Sequence, residues 1–279
     1  MTTENERVAL VTGAGGGLGG VMTAALLAGG HKVLAMDSDE HSLGALEARH
    51  SSAGLHVFQG DVSREADAAG AAAECVRRFG RLEILVNNAG IGPSSIRPDA
   101  EKRTPTIEEL TPATWERFFA VNVGGAFLMA HAALPSIKAA GWGRIVNNTT
   151  SFLTMLRILP YGATKAALEA LSAVWAKELE GSGITVNVLI PGGPTDTAFI
   201  ADESGIPREE MLKPEIMAAP LRWLASGASD GVTGRRIIAA RWNEHLPPAQ
   251  AAEEAGAPIG WPQLTRDVVW PGGSPQPDE

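Results

Sequence analysis

The sequence predicts an α/β fold, a doubly wound parallel sheet flanked by helices, in a single domain with a C-terminal extension rich in Pro and Trp. Three observations carry that expectation. Short apolar runs bounded by turn residues alternate with stretches of helical periodicity from Arg7 to Val188, the pattern of strands buried on both faces. The first run ends in a glycine-rich turn, Thr12-Gly-Ala-Gly-Gly-Gly-Leu-Gly19, which opens the next helix. No Gly/Ser linker or change of composition interrupts the chain before about residue 240, and 279 residues suffice for one large α/β domain.

The elements follow in order. Val8-Ala-Leu-Val11 reads as a strand, and Leu18 to Leu27, rich in Ala and Leu, as the helix after the turn. Lys32 to Asp37 is a second strand, followed by a helical stretch through Arg49. Leu55 to Phe58 is a third strand, with a helix from about Arg64 to Phe79. Leu82 to Val86 is the fourth strand, and a single long helix is expected from about Pro112 to Ala139. Arg144 to Asn147, a helix from Tyr161 to Leu179, and Ile184 to Ile190 complete the regular alternation. Parallel neighbours need crossovers, which such helices supply with right-handed chirality. A last short strand is expected at Ile237 to Ala240, after the basic pair Arg235-Arg236, which reads as a surface or subunit contact. Residues 1–240 are therefore expected to form one α/β domain. Residues 241–279 are expected to pack on that body or on a neighbouring subunit, because Trp242, Trp261 and Trp270 need something to bury against.

Composition excludes several classes. With 44% hydrophobic and 20% charged residues the chain is an ordinary globular protein, and a net charge of −9 argues against a nucleic-acid partner held by phosphate contacts. Cys75 is the single cysteine, so no intramolecular disulfide forms, and it reads as a packed thiol. The histidines show no metal-ligand spacing, and no metal site is expected. The segment Met1 to Arg7 lacks the basic end and apolar stretch of a signal peptide. No apolar run is read as membrane-spanning, so a cytoplasmic location without membrane partners is expected.

Two local patterns carry chemistry. In the glycine turn, Gly13, Gly17, Leu18 and Gly19 sit where a backbone must approach a pyrophosphate and aim helix N–H groups at it. Asp37 ends the second strand about 20 residues on, placed to accept hydrogen bonds from ribose hydroxyls and to repel a 2′-phosphate, which favours NAD over NADP. Tyr161 and Lys165, at i, i+4 on one helix face, bring a phenol beside an ammonium. The ammonium and an oxidised nicotinamide are expected to lower the tyrosine pKa, making Tyr161 a general base for alcohol oxidation or a general acid for ketone reduction. Tyr161 is the only tyrosine in the chain.

Together, Thr12-Gly13-x-x-x-Gly17-x-Gly19, Asp61-Val62, Asn87-Asn-Ala-Gly90, Asn122, Tyr161-x-x-x-Lys165 and Pro191-Gly192 closely resemble the short-chain dehydrogenase/reductase family over roughly residues 5–240. The resemblance implies a Rossmann fold with Asp61 and Val62 at the adenine and Asn88, Ala89 and Gly90 beside the ribose. It implies that Asn122 holds a water leading from the lysine to solvent. Lys165 would bind nicotinamide ribose, and Pro191 and Gly192 would lie beside the carboxamide. Two departures stand out. Aligning Gly143 to Asn147 puts Thr150 at the catalytic serine, with Ser151 next, but the loop to Tyr161 is two residues short. Ser151 is preferred as the hydroxyl and Thr150 is the alternative. Pro194 falls where the family uses a backbone N–H, which proline lacks, so Thr195 or Thr197 is assigned to the carboxamide.

The expected activity is an NAD-dependent interconversion of a secondary alcohol and a ketone. The competing reading is a catalytically silent NAD-binding regulatory or scaffold protein. The apolar loop Ser151 to Pro160 suggests a hydrophobic or cyclic substrate, with Arg157 as a possible acid contact. Thr197 to Leu212 is the lid candidate. The resemblance also implies a homotetramer or homodimer built on the long helices.

Overall fold

The computed structural model describes residues 6–50 and 54–262. Trp270, and the rest of the extension beyond Pro262, lie outside the described residues. Strands β1 (Val8–Thr12), β2 (Lys32–Asp37), β3 (Leu55–Gln59), β4 (Ile84–Asn87), β5 (Gly143–Asn148), β6 (Ile184–Ile190), β7 (Arg235–Ile238) and β8 (Gly256–Pro258) form one sheet in the order β3-β2-β1-β4-β5-β6-β7-β8. All pairings are parallel except the last, where β8 runs antiparallel to β7.

Alternation along the strands divides the core. Val8 and Leu10 of β1 face one side with Leu34, Met36, Val186 and Val188. Ala9 and Val11 face the other with Val33, Ala35, Ile84 and Leu189. The first side is covered by α3 (Glu65–Phe79), α5 (Gly125–Ala140) and α7 (Tyr161–Glu178), with Ala71, Cys75, Met129, Ile137 and Ala176 at the contact. The second is covered by α1 (Gly17–Ala28), α2 (Glu40–Arg49), α8 (Ala218–Leu224) and α9 (Pro248–Ala255). Burial pushes the Cys75 thiol pKa up, so it is an inert core residue. Strand order reverses between β1 and β4, and the crevice opens at the carboxyl ends of the strands there.

Three elements differ from expectation. The long helix is two: α4 (Pro112–Phe119), capped by Thr111, joins α5 through one widened turn at Ala120–Gly124. The widened turn carries Asn122, whose buried side chain reaches Ile91 beside the crevice and Thr164 of α7; such bulges are frequent at functional sites. The run Pro112–Ala140 also has the length and composition to cross a bilayer, where none was expected. Met129, Ala130, Ala133 and Ile137 are nevertheless buried in the core, so it serves as core helix. Finally, β7 begins two residues early. The register Val188↔Arg236, Leu189↔Ile237, Ile190↔Ile238 draws Arg236 into the sheet, and Ala239–Arg241 turns away. Arg236 is only 3% exposed, which overturns its reading as a surface contact.

The segment from Trp242 to Pro262 lies on the body. Trp242 packs on Trp223 with ring centroids 5.8 Å apart. In α9, Ala251, Ala252 and Ala255 are buried while Glu253 and Glu254 face outward.

Candidate active site

A cavity of about 630 Å³ runs along the crevice, lined by the glycine turn, the ends of β2, β4 and β5, the start of α7 and the loop after β6. At its cofactor end the backbone is fitted closely. Gly13 has φ +62, and a Cβ there would lie 2.8 Å from Ala89 Cα. A Cβ at Gly19 would collide with the Gly13 carbonyl, and one at Gly17 with the Thr197 side chain. Thr12 Oγ1 accepts from the N–H groups of Asn88 and Ala89, both at 3.1 Å. Asn88 Nδ2 donates to the carbonyls of Thr12 at 3.0 Å and Gly13 at 3.1 Å. The turn after β4 is thus bolted to the glycine turn. Leu18, Val62 and Gly90 line the same stretch.

Asp37 lines the cavity at the end of β2. Its carboxylate accepts from Gly15 N at 2.9 Å and Asp39 N at 3.1 Å. Asp61 accepts from Ser63 N at 2.9 Å and Ser63 Oγ at 2.6 Å, and pairs with Arg117 at 3.2 Å. Burial pushes the Asp61 pKa up, but the Ser63 and Arg117 contacts outweigh it and the net shift is downward.

At the reacting end, Tyr161 opens α7 and Lys165 follows one turn on, both deeply buried. Lys165 Nζ donates to the Asn148 carbonyl at 2.7 Å and lies 5.9 Å from the Tyr161 ring centroid. Burial pushes Tyr161 up to about 12, against a hydrogen bond from Thr150 that lowers it. Burial likewise pushes Lys165 down to about 8. In this structure burial outweighs the Thr150 contact at Tyr161, and Lys165 directs one N–H at the Asn148 carbonyl.

The two candidate hydroxyls separate cleanly. Ser151 Oγ caps the short helix α6 (Phe152–Met155), accepting from Thr154 N at 3.1 Å and bonding Thr154 Oγ1 at 2.9 Å. Thr150 is the residue whose side chain reaches Tyr161. Both line the cavity, but Ser151 is engaged as a helix cap whereas Thr150 faces Tyr161. Asn122 is clamped as well: Oδ1 accepts from Ile91 N at 2.8 Å, and Nδ2 donates to Ile91 O at 3.0 Å and Thr164 Oγ1 at 2.9 Å. Both amide hydrogens are used, and Oδ1 keeps one further acceptor position.

Pro191, Gly192 (φ +106), Thr195 and Thr197 all line the cavity. The segment after them folds over it. Phe199 stands against Tyr161 with ring centroids 5.7 Å apart, and its carbonyl accepts from Ser94 Oγ at 2.8 Å. Arg208 holds the segment, donating to Ile200 O at 2.7 Å, Thr197 O at 3.0 Å and Asp202 at 2.6 Å.

Three residues that line the cavity, and one that holds the segment over it, were not singled out in the sequence. Asn148 Oδ1 is buried at the cavity wall with no partner. Glu101 lines the cavity with an unpartnered, buried Oε2 and a pKa raised by burial. Phe199 and Arg208, which complete the set, fall within the Thr197–Leu212 lid candidate, Asn148 lies one residue past the expected end of the fifth strand, and Glu101 carried no signal.

A doubly wound sheet, a closely packed glycine turn at its switch point and a buried Tyr–Lys pair are the features of a dinucleotide-dependent oxidoreductase. The comparisons agree. The short chain dehydrogenase family model matches residues 7–204, and the chain belongs to the short-chain dehydrogenase/reductase family. It is 31% identical to a short-chain type dehydrogenase/reductase of Picea abies, over 83% of this chain and 90% of that one. It is also 31% identical to D-threitol dehydrogenase of Mycolicibacterium smegmatis, with the same coverages. An acetoacetyl-CoA reductase of Rhizobium meliloti matches at 31%, over 84% of this chain and 97% of its own. Among solved structures, the 3-ketoacyl-(acyl-carrier-protein) reductase of Brucella melitensis complexed with NADH superposes with a TM-score of 0.72. It shares 29% identity and covers 83% of this chain and 95% of its own.

Proposed function

We propose that this protein is an NAD-dependent dehydrogenase/reductase that interconverts a secondary alcohol and its ketone, with Tyr161 moving the proton. The observation that carries the reading is the approach of Thr150 to Tyr161 on the floor of a cavity that also holds Lys165 and Asn148. The residues fit a nicotinamide dinucleotide: glycines leave room for a pyrophosphate, and Asn148 Oδ1 offers an unfilled acceptor at the wall.

In this reading Gly13, Gly17, Leu18 and Gly19 cradle the pyrophosphate, and Asp61 and Val62 flank the adenine. Asn88, Ala89, Gly90 and Lys165 hold the nicotinamide ribose. Pro191, Gly192, Thr195 and Thr197 orient the carboxamide. Asp37 selects NAD, because its carboxylate at the end of β2 accepts ribose hydroxyls and repels a 2′-phosphate. When bound, the cofactor supplies or accepts the hydride. Thr150 holds the substrate oxygen, and Tyr161 takes its proton during oxidation or returns one during reduction. Lys165, pushed down to about 8 by burial, would hold or release a proton beside Tyr161.

Leu153, Ile158, Phe199, Ile200 and Ile206 give the substrate end an apolar lining, which supports a hydrophobic or cyclic alcohol. We read the protein as cytoplasmic and as a homotetramer or homodimer, with exposed Trp115, Phe127 and Val174 on α4, α5 and α7 as its subunit contacts.

The test is NADH formation against a panel of secondary alcohols, with NADP in parallel, for the native protein and Tyr161→Phe. The variant is expected to lose about 10²- to 10⁴-fold in turnover while binding NAD as before. Equal behaviour of the two proteins would favour the silent scaffold instead.

A further inference from the structure

Behind Thr150 lies an ion pair that the chemistry above does not use. Arg236 on β7 and Glu169 on α7 meet at 2.6 Å with side-chain exposures of 3% and 0%. Thr149 Oγ1 donates to the same Glu169 oxygen at 2.8 Å. The second arm of the guanidinium donates to the Thr150 carbonyl. Its plane covers the Phe152 ring, with the carbon 4.3 Å from the centroid. One side chain therefore touches residues 149, 150 and 152, the stretch leading from β5 into α6.

The pair is poorly explained as a source of stability. Burial pushes Glu169 up and Arg236 down, each towards neutrality, so both charges are held against a desolvation cost. Glu169 Oε1 is buried with no partner, which adds to that cost. Its geometry is better matched to alignment. Tyr161, Lys165 and Glu169 follow one another at intervals of four residues along one face of α7. The pair thus ties the helix that carries the phenol to the loop that carries the hydroxyl. A guanidinium suits this task because its planar fork serves two acceptors in fixed directions while stacking on a ring.

The C-terminal segment braces the same arginine. Strand β8 pairs with β7, placing Ala257 opposite Arg236. Beyond it, Trp261 packs on the far partner of the guanidinium, Phe152, with ring centroids 5.8 Å apart. Trp261 has φ +54, a conformation that a bulky side chain adopts only where packing compensates for it.

We propose that Arg236, anchored by Glu169 and braced by the C-terminal segment through Trp261 and Phe152, is a positioning residue that fixes the Thr150 hydroxyl against Tyr161. The proposal rests on the assignment of Thr150 and Tyr161 as the reacting pair. It gives residues 256–261 a role in turnover without contact with substrate or cofactor.

The experiment compares Arg236→Lys, Phe152→Ala, Trp261→Ala and Trp261→Phe with Thr150→Val and Tyr161→Phe. For each, kcat and KM for the alcohol, NAD affinity, thermal midpoint and the pH profile of oxidation are measured. Arg236→Lys keeps the charge but cannot reach both acceptors. It and Trp261→Ala are expected to lower kcat on the order of tenfold, since small misplacements of reacting groups are costly, with NAD affinity unchanged. The rising, acid-side limb of their oxidation profile should move to higher pH, as in Thr150→Val, and Trp261→Phe should restore it. If Arg236→Lys fails to fold, the two aromatic truncations decide. Wild-type kcat and pH profile in folded Phe152→Ala and Trp261→Ala would overturn the proposal, leaving the cluster a packing device. Full turnover by Tyr161→Phe would instead remove the functional reading on which it rests.

Discussion

At the cofactor end of the cleft the fit is made by absent side chains and backbone hydrogen bonds: Gly13, Gly17 and Gly19 leave space, and Thr12 and Asn88 lock two turns together. At the substrate end it is made by long side chains reaching across loops: Arg208 to Thr197, Ile200 and Asp202, Phe199 onto Tyr161, and Glu101 into the cavity. The first end tolerates almost no change of shape. The second is held by contacts that can be made and broken singly, which suits a region that must admit and release substrate.

The largest effect should come from the rigid end. Gly19→Ala places a Cβ against the Gly13 carbonyl, with no flexible atom to yield. A cost of about 1–3 kcal/mol in stability is expected, together with loss of measurable NAD binding by calorimetry. A variant that binds NAD normally would show that the glycine turn adapts, and the contrast between the two ends would collapse.

The seam between the ends is Tyr161, and its pH response tests how burial and contact balance there. Its pKa is raised to about 12 by burial, so the phenolate needed for oxidation grows as pH rises from neutrality. Oxidation should climb by up to about tenfold per unit on the acid side of the effective pKa, and reduction should fall over the same range. Bound oxidised nicotinamide moves that pKa down, and Thr150→Val moves it up by removing the one hydrogen bond that opposes burial. A flat profile for both directions would remove Tyr161 from the proton transfer.

The contrast also explains what could be read in advance. The strands, the glycine turn, Asp37 and the Tyr161–Lys165 pair are local patterns, set by alternation or by spacing within one turn of helix. Asn122 was legible as a residue, but the widened turn around it was not: Gly124-Gly125 weakens a helix there without specifying a bulge. Arg236 and Glu169 meet across 67 residues of sequence. Beside an apolar strand, a basic pair looks like surface until the register of β7 is known. Ser151 looked the better hydroxyl by residue type, and only the helix beginning after it shows that its oxygen is taken.

A moderate effect is expected from Arg208→Ala at the adaptable end. The guanidinium is the common partner of Thr197, Ile200 and Asp202, so its loss frees the segment without touching the core. KM for the alcohol should rise several-fold while NAD affinity and the thermal midpoint stay close to native. A large fall in the midpoint would mean that this end is as rigidly built as the other.

The smallest change in rate, and the sharpest in selectivity, is expected from Phe199→Ala. The Phe199 ring meets the Tyr161 phenol, and it also closes on Gly92, where a Cβ would strike the ring. Its ring is still 39% exposed, so truncation opens space at the mouth of the cavity without cutting into the core. With small alcohols, turnover should hold or fall modestly, because the Thr150–Tyr161–Lys165 geometry does not depend on the ring. With bulky alicyclic or aromatic alcohols, kcat/KM should rise relative to small ones by about tenfold, the scale on which a few carbons of pocket volume discriminate. An unchanged ranking across the panel would place substrate elsewhere, against Glu101 and Arg157 at the outer wall, and would make that polar edge the seat of selectivity.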